Sequence, residues 1–187
     1  MPRQATVRVD SERGEIVVKN LQGTLAIEGI STPVSLTQMK GHMTVRTVDA
    51  PILIQSSEGS INADSISGDL RFVQVNGSEL VANTNSGSIR YEGDFGDGGT
   101  YVLNNYSSPI DILATAKASF DLTARAVMGL IESTLSFRPT PLGNPFRRLA
   151  PNKFLQGRFN SGASTVRVTS YSGTIRVRGP RPDGAAQ

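Results

Sequence analysis

The side chains that could carry chemistry are few and widely spaced. Cysteine is absent and His42 is the one histidine. This removes a thiolate nucleophile, a disulfide framework and any metal site built on several imidazoles or thiolates. A Ser-His-Asp relay would have to use His42, but that residue follows Gly41 at an outward place of a strand pattern, where a solvated surface role is the better reading. Asp94 and Asp97 share the glycine-rich run from Gly93 to Gly99, a composition found at calcium sites. Calcium-binding nonapeptide rolls repeat their acids in successive units, whereas these occur once, so a plain bend is expected. Solenoid enzymes that cleave glycans set carboxylates on neighbouring coils so that acid and base flank one bond. With two repeat units per coil, Asp64 would lie between Arg46 and Ala82, and Asp69 between Pro51 and Gly87, so no such pair assembles. The chain therefore reads as non-enzymatic and without a cofactor, with a carbohydrate-active enzyme as the lesser alternative.

A different chemistry is available near the C-terminus. Residues 1–132 hold 10 Lys and Arg against 15 Asp and Glu, whereas residues 133–182 hold 9 basic residues and no acid, within a net charge of +3. There Arg138, Phe146, Arg147, Arg148, Lys153, Phe154 and Arg158 form a candidate binding loop in which cations alternate with aromatic rings, flanked by Phe137 and Phe159. Such a mixture can lie against an anionic lipid, an acidic glycan or a protein partner, and no specific nucleic-acid contact is expected. The competing reading, somewhat favoured, is that the phenylalanines tuck the loop onto the body while the arginines solvate it.

What positions these residues is a repeat. Small or bend-forming residues recur every nine places at Ala5, Gly14, Gly23, Thr32, Gly41, Ala50, Gly59, Gly68 and Gly77. Two places on stand Val7, Ile16, Leu25, Val34, Met43, Ile52, Ile61 and Leu70, and four places on stand Val9, Val18, Ile27, Leu36, Val45, Ile54, Ala63 and Phe72. Apolar residues two apart lie on one face of a strand. A nine-residue unit is too short for a helix pair, so each unit reads as a strand, a bend and an inward corner residue, stacked on earlier units into a solenoid. The inward corner is assigned to the seventh place, at Leu21, Ile30, Met39, Val48, Ile66 and Val75. Two units per coil would make a flattened solenoid and three a triangular one, and the pattern alone fits either. With two, Asp10, Glu28, Arg46 and Asp64 stack as a surface ion-pair ladder.

After Gly77 the frame slips by one, and the starts widen to Gly87, Ser108 and Gly129, 21 apart, then to Gly173, 44 further or twice 22. Strands are expected at Thr100 to Leu103, Ser119 to Ala124 and Thr165 to Thr169. Residues 137–160, with four prolines, should leave the solenoid as a loop and return. One domain over residues 1–178 is expected, with regular repeats at 5–85, wider coils at 86–178 and a frayed tail at 179–187. No apolar run is long enough to cross a bilayer as a helix. Met1 lies almost against the first strand, which suggests that an upstream export or anchoring segment has been removed.

The runs Gly59-Ser-Ile61, Asn85-Ser-Gly87-Ser-Ile89 and Tyr171-Ser-Gly173-Thr-Ile175-Arg-Val177, with the strand Ala163 to Val168 before the last, carry a Ser-Gly-x-Ile step. In this the chain resembles the adhesin-like β-strand-repeat domains of bacteria over roughly residues 5–178. The resemblance implies an all-β, right-handed parallel β-solenoid, exported or membrane-anchored in a bacterium, and brings no catalytic residue. The expected function is a non-catalytic binding or scaffold module of the cell envelope. The alternatives are end-to-end self-assembly through the solenoid ends, and the enzyme above.

Overall fold

A computed structural model describes residues 5–138 and 152–180. Among them are seventeen strands and no helix. The strands fall into coils of two: β1 (Ala5–Arg13) with β2 (Ile16–Lys19), β3 (Gln22–Ser31) with β4 (Val34–Thr37), β5 (Lys40–Thr47) with β6 (Ile52–Gln55), and β7 (Glu58–Ser65) with β8 (Leu70–Val73). Then come β9 (Glu79–Thr84) with β10 (Ile89–Gly93), β11 (Thr100–Asn105) with β12 (Ile110–Ala114), β13 (Phe120–Ala126) with β14 (Ile131–Ser133), the single β15 (Phe154–Phe159), and β16 (Ser164–Ser170) with β17 (Ile175–Arg178). The first member of each pair joins a nine-stranded sheet and the second an eight-stranded one. The protein is thus a two-sided, flattened β-solenoid, and all strand pairs are parallel except β13 with β15.

The nine-residue frame produces this coil directly. Two units make 18 residues, which is the step from Gly23 to Gly41 to Gly59 in the strand register. After Gly59 the step becomes 19, pairing Ser60 with Glu79, and then 21, pairing Glu79 with Thr100. The second- and fourth-place residues face inward, so Leu25, Ile27, Leu36, Ile54, Ile61 and Phe72 are at most 1% exposed. The two sheets complement each other in volume. Where the nine-stranded sheet supplies Ala63 and Ala82, the facing strands of the same coils supply Phe72 and Tyr91, all fully buried.

The two corners of the coil differ, which corrects the single inward corner read from the sequence. At one corner Asn20, Gln38, Ser56 and Gln74 take left-handed φ values of 48–57°, and the next residue turns inward at Leu21, Met39, Ser57 and Val75. At the other corner the inward residue is polar: Thr47, Ser65, Thr84, Asn105 and Ser170 are all under 9% exposed. The seventh-place residues Ile30, Val48 and Ile66 consequently point out there, 39–56% exposed. Glycine at this polar corner is a matter of space. A Cβ on Gly68 would lie 1.9 Å from the Ala50 carbonyl oxygen, and one on Gly87 2.0 Å from that of Gly68.

The wider coils make room for aromatic residues. The bend from Gly93 to Gly99 turns Phe95 into the core, stacked on Tyr91 at 4.6 Å and against Tyr101 and Phe120 at 4.8 and 4.7 Å. The Tyr101 hydroxyl accepts the Gly96 N–H (2.7 Å) and donates to the Gly77 carbonyl (2.9 Å). Burial pushes both phenols, Tyr91 and Tyr101, up from their ordinary range.

The last coils do not stack in chain order. Strand β16 lies between β11 and β13, and β17 between β12 and β14. The start column therefore runs Ser108, Gly173, Gly129, with the Gly173 Cβ position 1.9 Å from the Ser108 carbonyl and that of Gly129 1.9 Å from the Gly173 carbonyl. A second correction concerns residues 137–160. Phe154–Phe159 is a strand, antiparallel to β13 at the edge of the nine-stranded sheet, with Arg138 bridging to Arg158 beside it. Residues 139–151 and 181–187 lie outside the described residues.

Candidate functional site

The described residues of the basic segment are bound into the end of the solenoid. Lys153 Nζ donates to the carbonyls of Met128 (2.6 Å) and Gly129. Arg158 forks onto Asp121 with Nε and an Nη at 2.7 and 2.8 Å. Arg138 and Arg158 exchange backbone hydrogen bonds at 2.9 and 2.8 Å. Phe137 and Phe159 pack on Phe120 with ring centres 6.0 and 5.6 Å away. Arg158 holds the Asp121 carboxyl below the usual carboxylate range, first through the hydrogen bonds and then through charge. Arg138 and Phe154 are exposed, and Phe146, Arg147 and Arg148 lie outside the described residues. Of the phenylalanines expected to tuck the loop down, Phe137 and Phe159 pack on the core while Phe154 is exposed, and Lys153 and Arg158 are held by hydrogen bonds to the solenoid end.

The column arithmetic holds for the scattered acids on one side, with Arg46 beside Asp64 and Pro51 beside Asp69, and is off by one residue on the other. Asp10, Glu28, Arg46 and Asp64 form one outward column, in which Arg46 pairs with Asp64 (3.6 Å), while Arg8 from the neighbouring column pairs with Asp10 (3.2 Å) and Glu28 (3.5 Å). The one-residue slip puts Asn83, not Ala82, beside Asp64. It also brings Ser88 to Asp69, whose carboxylate accepts the Ser88 N–H (2.7 Å) and hydroxyl (2.8 Å). Asp94 accepts from the Thr115 hydroxyl, and Asp97 is exposed. His42 faces outward between Thr24 and Ser60. Among the described residues no three of His, Cys, Asp and Glu gather as metal ligands would.

A feature the sequence reading missed lies along the polar corner. A groove of about 650 Å³ runs over the ends of β5, β7, β9, β11 and β16 to Val127, just after β13. At the common inter-strand spacing, its five steps span about 24 Å. Its floor is the corner itself, where hydroxyl and amide side chains close each turn. Ser65 Oγ accepts the Gly68 N–H (2.9 Å), Thr84 Oγ1 that of Gly87 (3.2 Å) and Asn105 Oδ1 that of Ser108 (2.7 Å). On one side stands an amide ladder: Asn104 Nδ2 donates to Asn83 Oδ1 (2.9 Å), and Asn83 Nδ2 to Asp64 Oδ1 (2.7 Å), with Arg46 and Thr169 at its ends.

The other side is apolar and aromatic. It carries Ile66, Tyr106, Tyr171 and Val127. Tyr106 and Tyr171 stack face to face at 4.7 Å with a 3° interplanar angle, yet remain 54% and 43% exposed. Asn85 sits between Ile66 and Tyr106 in this column, leaving the outer face of Tyr106 beside a polar residue. The signal was present in the chain. Each tyrosine directly precedes a corner step, Tyr106-Ser-Ser108 and Tyr171-Ser-Gly173, but the 65-residue separation hides that the two are neighbours.

No family model matches this chain, and no curated protein or solved structure shows significant similarity to it.

Proposed function

We propose that the chain is a non-catalytic binding module, a rigid rod that presents a recognition surface, and that it serves in a bacterial cell envelope as the adhesin-like resemblance implies. The observation that carries the reading is the groove over the polar corner: stacked tyrosines half exposed to solvent on one side, and a continuous amide ladder on the other. Exposed aromatic rings beside oriented polar groups are the usual composition of a recognition surface. The carboxylate nearest the groove supports a binding role over a catalytic one, since Asp64 already accepts from Asn83 and faces Arg46. The module works outside the cytoplasm or held at a membrane.

The test is co-sedimentation of the purified chain with bacterial envelope fragments, with their extracted glycan and with anionic lipid vesicles, at low and raised salt, beside Arg147→Ser/Arg148→Ser. Saturable binding to an envelope component is expected. Binding lost in the double variant and at raised salt would place recognition in the basic segment, and no binding to any component would sink the module reading.

End-to-end self-association is the second reading, favoured by β1. Among the described residues its outer edge has no strand beside it, and Val7, Val9 and Val18 are only partly covered. An antiparallel pairing of two β1 strands centred on Val9 would set Arg8 opposite the partner's Asp10 twice over. Removing residues 1–12 should then leave a folded monomer, read by sedimentation velocity across concentration.

A further inference from the structure

The chemistry of the groove specifies its occupant more narrowly than a binding module requires. Its backbone groups are spent: strands on both sides take the N–H and C=O of β7, β9, β11 and β16 into parallel ladders. An extended peptide that recognises a sheet does so through free edge groups, and the groove has none to offer. Recognition must therefore use side chains. Those on the polar side are uncharged over most of its length, Asn83, Asn104 and Thr169, and the one pair of charges, Arg46 and Asp64, is mutually neutralised. Within the lining, anionic lipid and acidic glycan thus find no excess cation, and Arg125, beside Thr169, stands just beyond its end.

Planar amides offer a donor and an acceptor each, and only part of that capacity is used within the ladder. Opposite them stand rings with one apolar body and one polar tip, the Tyr106 and Tyr171 pair, continued by Ile66 and Val127. A pyranose has the matching pair of surfaces, an apolar face of C–H groups and a rim of hydroxyls that both donate and accept. The groove is open at the surface and repeats at the coil spacing, close to the length of one sugar unit, so it suits a chain of several units lying along the rod.

We infer that the groove between the Asn83–Asn104 ladder and the Tyr106–Tyr171 stack binds a linear, uncharged polysaccharide. The inference rests on the binding-module reading and narrows it to one ligand class and one surface. Both sides of the groove belong to stacked coils and not to the basic segment, so the two surfaces are separable by mutation.

The experiment is titration calorimetry of the full chain with cellohexaose, mannohexaose, xylohexaose and N-acetylchitohexaose, each beside its disaccharide, with side-chain amide NMR of Asn83 and Asn104 as a second readout. At least one hexasaccharide should bind ten-fold or more tighter than its disaccharide, insensitively to salt, and should shift both amide signals. Tyr106→Ala and Tyr171→Ala, at half-exposed positions, should each weaken it at least ten-fold, and Asn104→Ala should do so several-fold. Arg147→Ser/Arg148→Ser should leave it unchanged.

Absence of hexasaccharide binding, or binding indifferent to the tyrosines and to Asn104, overturns the inference. If envelope fragments still bind while the groove variants have no effect, only the groove assignment falls and the module reading stands. If an extended unstructured peptide binds and shifts the amides while the sugars do not, the ligand class is wrong. If neither sugars nor envelope fragments bind, both readings fall together.

Discussion

At the floor of the groove, Ser65 Oγ is fixed by the Gly68 N–H at 2.9 Å and lies 3.0 Å from Thr47 Oγ1, in a residue only 8% exposed. Thr84 and Asn105 repeat this closure in the next coils. Ser170 occupies the same place in the β16 coil and is fully buried, but its Oγ has no hydrogen-bond partner among the described residues. The two serines should therefore answer the same substitution differently. Ser65→Ala strands the Gly68 N–H in the interior and should destabilise by about 1–3 kcal/mol, whereas Ser170→Ala strands nothing and should be neutral or mildly stabilising. Urea unfolding of the two variants reads the difference as a shift in midpoint at unchanged slope. Equal losses would mean that Ser170 Oγ has a partner after all. In the sequence Asn20, Gln38, Thr47, Ser56, Ser65 and Gln74 all stand six places after a unit's start, one polar place that does not show its split into two roles. Asn20 and Gln38 turn the backbone through left-handed φ, while Thr47 and Ser65 close the corner from inside. Both roles draw on the same residue types, so composition at that place could not separate them.

Strand β15 shows where an element escapes a sequence pattern for a physical reason. Its inward residues are Leu155, Gly157 and Phe159, opposite Ala124, Leu122 and Phe120. The central one is glycine because Phe137 packs over it, with a Cβ there falling 2.5 Å from that of Phe137. Period-two hydrophobicity is thus missing at the middle of the strand, and the neighbouring prolines point to a loop. Besides its ladder and the packing of Phe159 on Phe120, β15 is attached by the Arg158 fork on Asp121, both partly exposed. Asp121 has its pKa lowered by folding, so its contribution is present above the ordinary carboxylate range and is lost as pH falls through the depressed value. Amide exchange across β15, at Leu155 to Arg158, should accelerate relative to β11 on acidification through that window, and Asp121→Asn should abolish the difference. A pH-independent exchange ratio in the unsubstituted protein would show that the ladder and the Phe159 packing hold β15 without the ion pair.

On the scale of the whole molecule, the nine-residue frame sufficed to read the solenoid, because each step of 18 aligns like with like. The order of the final coils was not legible, since the steps are degenerate. Starts at Gly87, Ser108 and Gly129 are 21 apart, so β13–β14 could rest directly on β11–β12 with Ile131 above Ile110 and every inward residue still inward. In the structure β16–β17 takes that place, with Ile175 between Ile110 and Ile131. A groove whose sides join residues of β9, β11 and β16 is equally invisible until this order is known. The order has a kinetic consequence. During refolding β13–β14 precedes β16–β17 in the chain and meets a vacant, register-compatible edge on β11–β12, so it should dock there first and be displaced later. Outward residues Val102, Arg167 and Thr123 stand side by side across β11, β16 and β13, and the chain has no cysteine of its own. In the native order Val102→Cys/Arg167→Cys spans adjacent strands and should oxidise readily. Val102→Cys/Thr123→Cys spans two steps, about 10 Å, beyond the reach of a disulfide. Oxidant pulses during refolding should therefore trap the second pair early and the first pair late. Should Val102→Cys/Thr123→Cys never bridge at any delay, β16–β17 must reach its place before β13–β14 docks, and the coils assemble without exchange.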